Sequence, residues 1–318
     1  MENQTWTKSL KFNGSHSELV GLRIINNILK VITFSFYYPW AKVKELKYMY
    51  NETEFMHSRF VFHGTGNEVF KGFIKAILLF GTLYVVLLLC SYSENKPLVL
   101  IGISIFYIGF LALIPLAIHG SLRYRLSRTS WRGIHFGYRG KLKEFYALYF
   151  KNSFFTFITL GIYSAWMRVE INKYTRENIR FGTIQFSFVG KGLDLFLINL
   201  KGIIFSILTL GIYTFWFYKN RLMFEINNTK IIQNGEIINL RSTLSAGEIF
   251  KLLIVNYIII IFTFGIGTGI AINRATRVLF QNIEFEREID ADAILQTEEE
   301  YKDATGDDLV GILDISLI

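Results

Sequence analysis

Three asparagines stand at one offset inside apolar stretches: Asn26, Asn152 and Asn256 each follow an acid by eight residues, the acids being Glu18, Glu144 and Glu248. An amide in hydrocarbon must find a hydrogen-bond partner, so three at one position either bond across a helix interface or line a wet pathway. Lys30, Lys151, Asn199 and Lys201 lie close to them in the chain and extend the candidate set. A second constellation is the acids themselves, Glu18, Glu68, Glu144, Asp194 and Glu248. Carboxylates at one position of several modules would either ring a cavity and bind cations or headgroup amines, or favour helix N-termini and pair with nearby bases. Of five histidines only His57 and His63 are close in sequence, a weak pattern for a metal. The single cysteine, Cys90, excludes an intrachain disulfide and a CxxC site. No cofactor is expected, and no HExxH, GxSxG, Walker A or GxGxxG string gives the usual sign of a hydrolase, NTPase or dinucleotide enzyme.

The elements that would position these residues are copies of one module. Gly14, Gly64, Gly140 and Gly190 each have an aromatic two residues before (Phe12, Phe62, Tyr138, Phe188) and an acid four residues after. Glu248 marks a weaker fifth copy. A tryptophan follows the acid by 22 residues in three copies, giving Trp40, Trp166 and Trp216. Related strings precede each of them: TFSFYYPW, TLGIYSAW and TLGIYTFW, with TFGIGTGI in the fifth copy. The second copy has 48 residues between Glu68 and Leu116 where the others have 22, an excess of 26 and about one membrane helix plus a turn.

That insertion supplies the two plainest membrane segments. The chain has 318 residues, 51% hydrophobic and 16% aromatic, with a mean hydropathy of +0.33, more apolar than a soluble domain of this size. Residues 98–118 carry no charge, and 73–90 carry only Lys75, whose ammonium can snorkel to headgroups. Residues 1–14 lack the apolar core of a cleavable signal peptide, so insertion is expected to use the internal segments.

Charge is uneven. From 284 to 318 there are 12 acidic and 2 basic residues, against a net charge of +8 for the whole chain. The end is expected to be a mobile acidic appendage, dispensable for folding, with only its apolar 309–318 able to dock. The basic remainder points to anionic lipid headgroups as partners and not to nucleic acid, for which no recognition motif is present.

The expected fold is therefore membrane α-helical. Its repeated modules would each be a strand, a glycine turn, a membrane or re-entrant helix and a basic interfacial helix, with strands on one face joining in a small cytoplasmic β-sheet. Trp40, Trp166 and Trp216 would anchor the segments at the headgroup level. Modules fall at about 10–62, 62–138, 138–188, 188–243 and 243–283, in one membrane domain spanning 1–283, followed by the acidic tail 284–318. All linkers are expected on the cytoplasmic side. Alternation would put Arg168, Lys173, Arg176, Arg180 and Lys191 outside, against the positive-inside rule.

The run 10–72, with FNG, YYPWAKVKELKYMYNET and FVFHGTGNEVFKG, resembles the YjgN-type inner-membrane protein family, and RYRLSRTSWRGIHFG at 123–137 is similar to that family's second module. The resemblance implies a multi-pass bacterial inner-membrane protein of unknown function, with a membrane metallopeptidase or other protein as a partner. Ser35-Phe36 departs from the Gly-Ile string of the other copies. On this reading the protein is not an enzyme. The expected function is transport or lipid handling through a cavity between modules, and the alternative is a non-catalytic scaffold or adaptor that binds anionic lipid and a protein partner.

Overall fold

The computed structural model describes residues 6–298. The first unit is β1 (Leu10–Phe12), α1 (His16–Ile32), α2 (Tyr38–Asn51) and β2 (Thr53–Phe55); the second is β3 (Ser58–Phe62), α3 (Gly66–Ser91), α4 (Lys96–Ser127) and β4 (Thr129–Trp131). The third is β5 (Ile134–Tyr138), α5 (Leu142–Ile158), α6 (Ser164–Glu177) and β6 (Ile179–Phe181); the fourth is β7 (Ile184–Phe188), α7 (Gly192–Leu208), α8 (Thr214–Asn227) and β8 (Thr229–Gln233). The last is β9 (Glu236–Ser242), α9 (Ala246–Phe262), α10 (Thr268–Gln281) and β10 (Ile283–Phe285).

The strands pair in chain order, each antiparallel to the next, in a 10-stranded sheet. Units are joined by two-residue turns. Met56-His57, Arg132-Gly133 and Asn234-Gly235 all have positive φ at both positions, the turn whose twist matches that of the flanking strands. Antiparallel neighbours share an end, so this order places all five helix pairs at one end of the sheet and the turns at the other. Beyond β10 the sheet meets its own beginning: Thr7 and Phe285 exchange two backbone hydrogen bonds of 2.9 Å. The sheet is a nearly closed barrel.

This overturns the expected membrane α-helical fold with at most a small sheet. The barrel includes strands from every unit, and among the described residues only α3 and α4 are long and apolar enough to cross a bilayer. The physical reason is pairing between units. Strands of three to seven residues carry little periodic signal alone, yet each gains a second neighbour from the adjoining unit.

The helices close as well, each packing on the next and α10 packing on α1. At that seam a Cβ on Gly269 would meet the backbone of Leu19 and Val20 at 3.1–3.2 Å, so a glycine lets α10 lie against α1. Asn273, fully buried, donates from Nδ2 to the Ser15 carbonyl (2.7 Å), which also accepts from the Tyr48 hydroxyl (2.6 Å).

The short helix pairs turn by one device. Thr33, Thr159, Thr209 and Thr263 each donate a hydroxyl proton to the carbonyl four residues back and accept the backbone N–H four residues on. The next residue, Phe34, Leu160, Leu210 or Phe264, takes φ near +48° and is 89–96% exposed. Ser35 takes φ 69° where the other three copies have glycine.

Inside the barrel, Phe55, Trp131, Phe181, Ile184, Ile231, Ile238 and Phe285 form the core, joined by Ile289 and Ile294 from beyond the last strand. The expected acidic appendage is thus corrected over its first part. Residues 286–298 strap the turn end: Gln233 and Asp290 exchange two hydrogen bonds, Thr297 donates to the Gly182 carbonyl, and Glu298 pairs with Arg139. Two isoleucines among the acids reverse the balance: both are buried in the core, and Arg132 and Arg139 pair with Asp292 and Glu298. The apolar 309–318 lies outside the described residues. Ending the chain at Phe285 removes Ile289 and Ile294 from the core, each contributing about 1.5–3 kcal/mol. Thermal unfolding in detergent measures the drop against a chain ending at Glu298; equal midpoints would show that the strap adds nothing.

Candidate functional site

Where α2, α4 and α10 run into the barrel mouth they leave a cavity of about 390 Å³. Met49 and Tyr50, Leu126, and Thr276 and Phe280 line it from the helices, and Leu10, Thr53, Phe60, Thr129 and Phe136 line it from the strands. Tyr50 and Phe280 stand ten residues after Trp40 and Ile270, and Leu126 stands ten after Leu116, which holds the corresponding place in the second unit. The same helix position in different units therefore points at the barrel mouth. The wall is carbon almost throughout, and the hydroxyls of Thr53 and Thr129 are spent on the Met49 and Arg125 carbonyls. The volume lies within the range of small-molecule pockets. Its chemistry is that of a hydrocarbon-binding site.

On the other side of the ring the equivalent positions are polar. Arg176 stands ten residues after Trp166 and Asn172 six after it, matching Phe280 and Thr276. Both converge on Glu225 of α8. Its Oε1 accepts from Arg168 Nε (3.1 Å) and Asn172 Nδ2 (2.9 Å), and its Oε2 accepts from Arg176 Nη2 (3.1 Å) and again from Asn172 (2.8 Å). Burial pulls Arg176 below the ordinary arginine pKa while Glu225 opposes it, and its guanidinium also lies 4.7 Å from the Phe188 ring centre. Two cations on one carboxylate leave the cluster with an excess positive charge. The signal in the sequence was Arg168-Asn172-Arg176 at helical spacing; its partner is on another unit.

The residues singled out by sequence do not gather at this cavity. Asn26 and Asn256 are buried between the two helices of their own pairs, donating to the Ala41 and Ala271 carbonyls at 3.3 and 3.1 Å. Asn152, also buried, donates to Leu148 O of its own helix. Asn199 has a buried Oδ1 without a partner, Lys30 is half-buried, and Lys151 and Lys201 are exposed. The acids sit in the first turns of α1, α3, α5, α7 and α9 and do not converge. Glu68 and Glu248 close capping boxes with Thr65 and Ser245, and Glu68 also takes Arg128 at 2.8 Å. Glu144 pairs with Lys141, while Glu18 and Asp194 are exposed. Trp40 and Trp166 lie against Gly66 and Gly192 of the next unit, whereas Trp216, stacked on Tyr213, is 45% exposed. His63 bonds Ser130 at 2.8 Å, and His57 lies 3.8 Å from Glu54.

A barrel that carries one long, almost wholly exposed apolar helix pair, with an apolar cavity at its helix end, defines a membrane-anchored barrel protein. The family described as bacterial protein of unknown function (DUF898) matches residues 7–189 and 225–312, and the chain belongs to it. Inner membrane protein YjgN of Salmonella typhimurium (strain LT2) is 28% identical over 136 residues, covering 43% of this chain and 32% of that protein. YjgN of Escherichia coli K12 is 30% identical over 138 residues (43% and 33%), and that of strain O157:H7 31% over 135 residues (42% and 32%). The aligned part thus spans about a third of the length of these relatives. No solved structure matches. The protein is a bacterial inner-membrane protein.

Proposed function

We propose that this inner-membrane protein is multi-pass, that its five units are copies of one repeat forming a single domain, and that it handles lipid, the cavity at the barrel mouth taking the hydrocarbon part of the ligand. The carbon lining of that cavity carries the reading. Water or ions moving through would need polar groups along the path, and the barrel beneath is filled by Trp131, Ile238, Ile289 and Ile294. A closed floor under an apolar chamber favours holding a chain over conducting a solute.

The long pair α3–α4 would provide two membrane crossings. Helix α3 has 26 residues against 17 in α1, so it stands roughly 14 Å beyond the short pairs at 1.5 Å per residue. Both ends of the pair return to the barrel, which the positive-inside rule assigns to the cytoplasm through bases such as Arg123, Arg125 and Arg128 at the foot of α4.

Native mass spectrometry of the full chain, released from mild detergent, tests the lipid reading. Wild-type protein should retain a lipid-sized adduct, and Leu126→Trp, which fills the chamber, should lose it while the protein keeps its unfolding midpoint. An adduct equally abundant in Leu126→Trp, or absent from wild type in native membrane extracts, would count against this function.

A further inference from the structure

The seam between the last and first units holds a second cavity, of about 370 Å³, lined from α1, α9 and α10. Three cations border it, Lys251, Arg274 and Arg277. Arg274 gives its Nε to Asn256 Oδ1 (3.1 Å) and Arg277 gives one Nη2 to the Gly14 carbonyl (2.9 Å), both neutral acceptors. The one acid on the wall, Glu248, is spent at the helix cap on the Ser245 backbone and hydroxyl (2.8 Å each) and on Asn282. Among the described residues no carboxylate forms an ion pair with any of the three cations. His16 completes the wall with a buried Nδ1 that has no hydrogen-bond partner.

At two other unit boundaries the corresponding place is filled. Trp40 lies against Gly66 and Trp166 against Gly192; at the seam Ile270 stands at the tryptophan position and His16 at the glycine position. We propose that this cavity is a binding site for a phosphate group, in which Lys251, Arg274 and Arg277 supply the charge and His16 Nδ1–H a further hydrogen bond. Guanidinium groups suit phosphate because their fixed donors match its oxygens in pairs. Burial, then Arg277 and Arg274, hold the His16 imidazole below its usual pKa. The phosphate could come from the phosphodiester of an anionic membrane lipid or from free phosphate in the cytoplasm. The site uses Arg274, Arg277 and Val278 of α10, the barrel mouth Thr276 and Phe280, so the two cavities share no lining residue.

Full-length protein, delipidated in detergent, is titrated in parallel with phosphatidylglycerol in nanodiscs, with phosphatidylcholine in the same nanodiscs, and with inorganic phosphate. Loss of one charge-assisted contact in Arg274→Gln should weaken binding about tenfold or more. Lys251→Gln, at an exposed residue of the same wall whose replacement empties no core site, should weaken it in the same direction, so a folding defect at Arg274 leaves the test intact. Lys201→Gln, exposed and remote, should bind as wild type. Selective response to phosphatidylglycerol assigns the site to lipid, and response to inorganic phosphate alone assigns it to the free anion. No binding in either arm, or binding that Arg274→Gln and Lys251→Gln leave unchanged, overturns the proposal. Leu126→Trp, which fills the other chamber, should leave this binding intact.

Discussion

Trp131→Ala lowers the stability of the purified protein by about 3–5 kcal/mol, the usual cost of emptying a core site of a large aromatic side chain. Trp131 is fully buried where strands from three units meet, with ring contacts to Phe55 and Phe181 at 5.5 and 5.8 Å. Its indole N–H also donates to two carbonyls, Phe55 O at 3.1 Å and Ser58 O at 3.0 Å. Alanine removes the packing and the side-chain donor shared by both carbonyls. Trp131→Phe restores most of the shape but not the donor, so it should cost only about 1–3 kcal/mol. Equilibrium denaturation in detergent reads both; equal loss in the two variants would mean that the hydrogen bonds, and not the packing, dominate.

The second large effect is expected at Glu225. Glu225→Gln leaves Arg168 and Arg176 beside each other without a counter-charge, and breaking a buried pair costs more than the pair ever contributed. The side chains of Glu225, Arg176 and Arg168 remain 18%, 23% and 33% exposed, which puts the loss near the low end for such pairs, about 3 kcal/mol. Arg168→Gln still leaves Arg176 and Asn172 on the carboxylate and should cost much less. The unfolding midpoints of the two variants, measured in low and high salt, check this. Equal midpoints would show that Glu225 is not the centre of the cluster.

The units were legible because their signals are local. A glycine two residues past an aromatic, an acid four further on and a tryptophan 22 beyond that lie within one unit. Closure was not legible. The contacts that make it, Thr7 with Phe285 and Asn273 with Ser15, join residues more than 250 apart, and nothing in three-residue strands announces a partner at that distance. The strap was hidden for another reason. Net charge described residues 284–298 as solvated, while Ile289 and Ile294 are only two side chains among many.

At the candidate site the difficulty was polarity. Asparagines and lysines drew attention because they are costly in hydrocarbon, yet Asn26 and Asn256 serve their own helix pairs. The chamber is built from Tyr50, Leu126 and Phe280, whose types are unremarkable in any apolar helix. Arg168 and Arg176 stand out in the sequence only as bases that the positive-inside rule constrains, and their partner Glu225 lies on the next unit.

Closure also sets an order of events during synthesis. The first strand emerges from the ribosome early, but its far neighbour, β10, is the last to appear. Until then Thr7 and β1 present an unpaired edge, and an unpaired edge invites association with other chains. Each new unit moves the opposite free edge along, so a nascent chain has two open edges at every stage until residue 285 is out. A stall or nick before that point leaves an open ribbon at the membrane, where neighbouring copies are concentrated in two dimensions. Removal of the two open edges therefore waits on a single event, the meeting of Thr7 with Phe285.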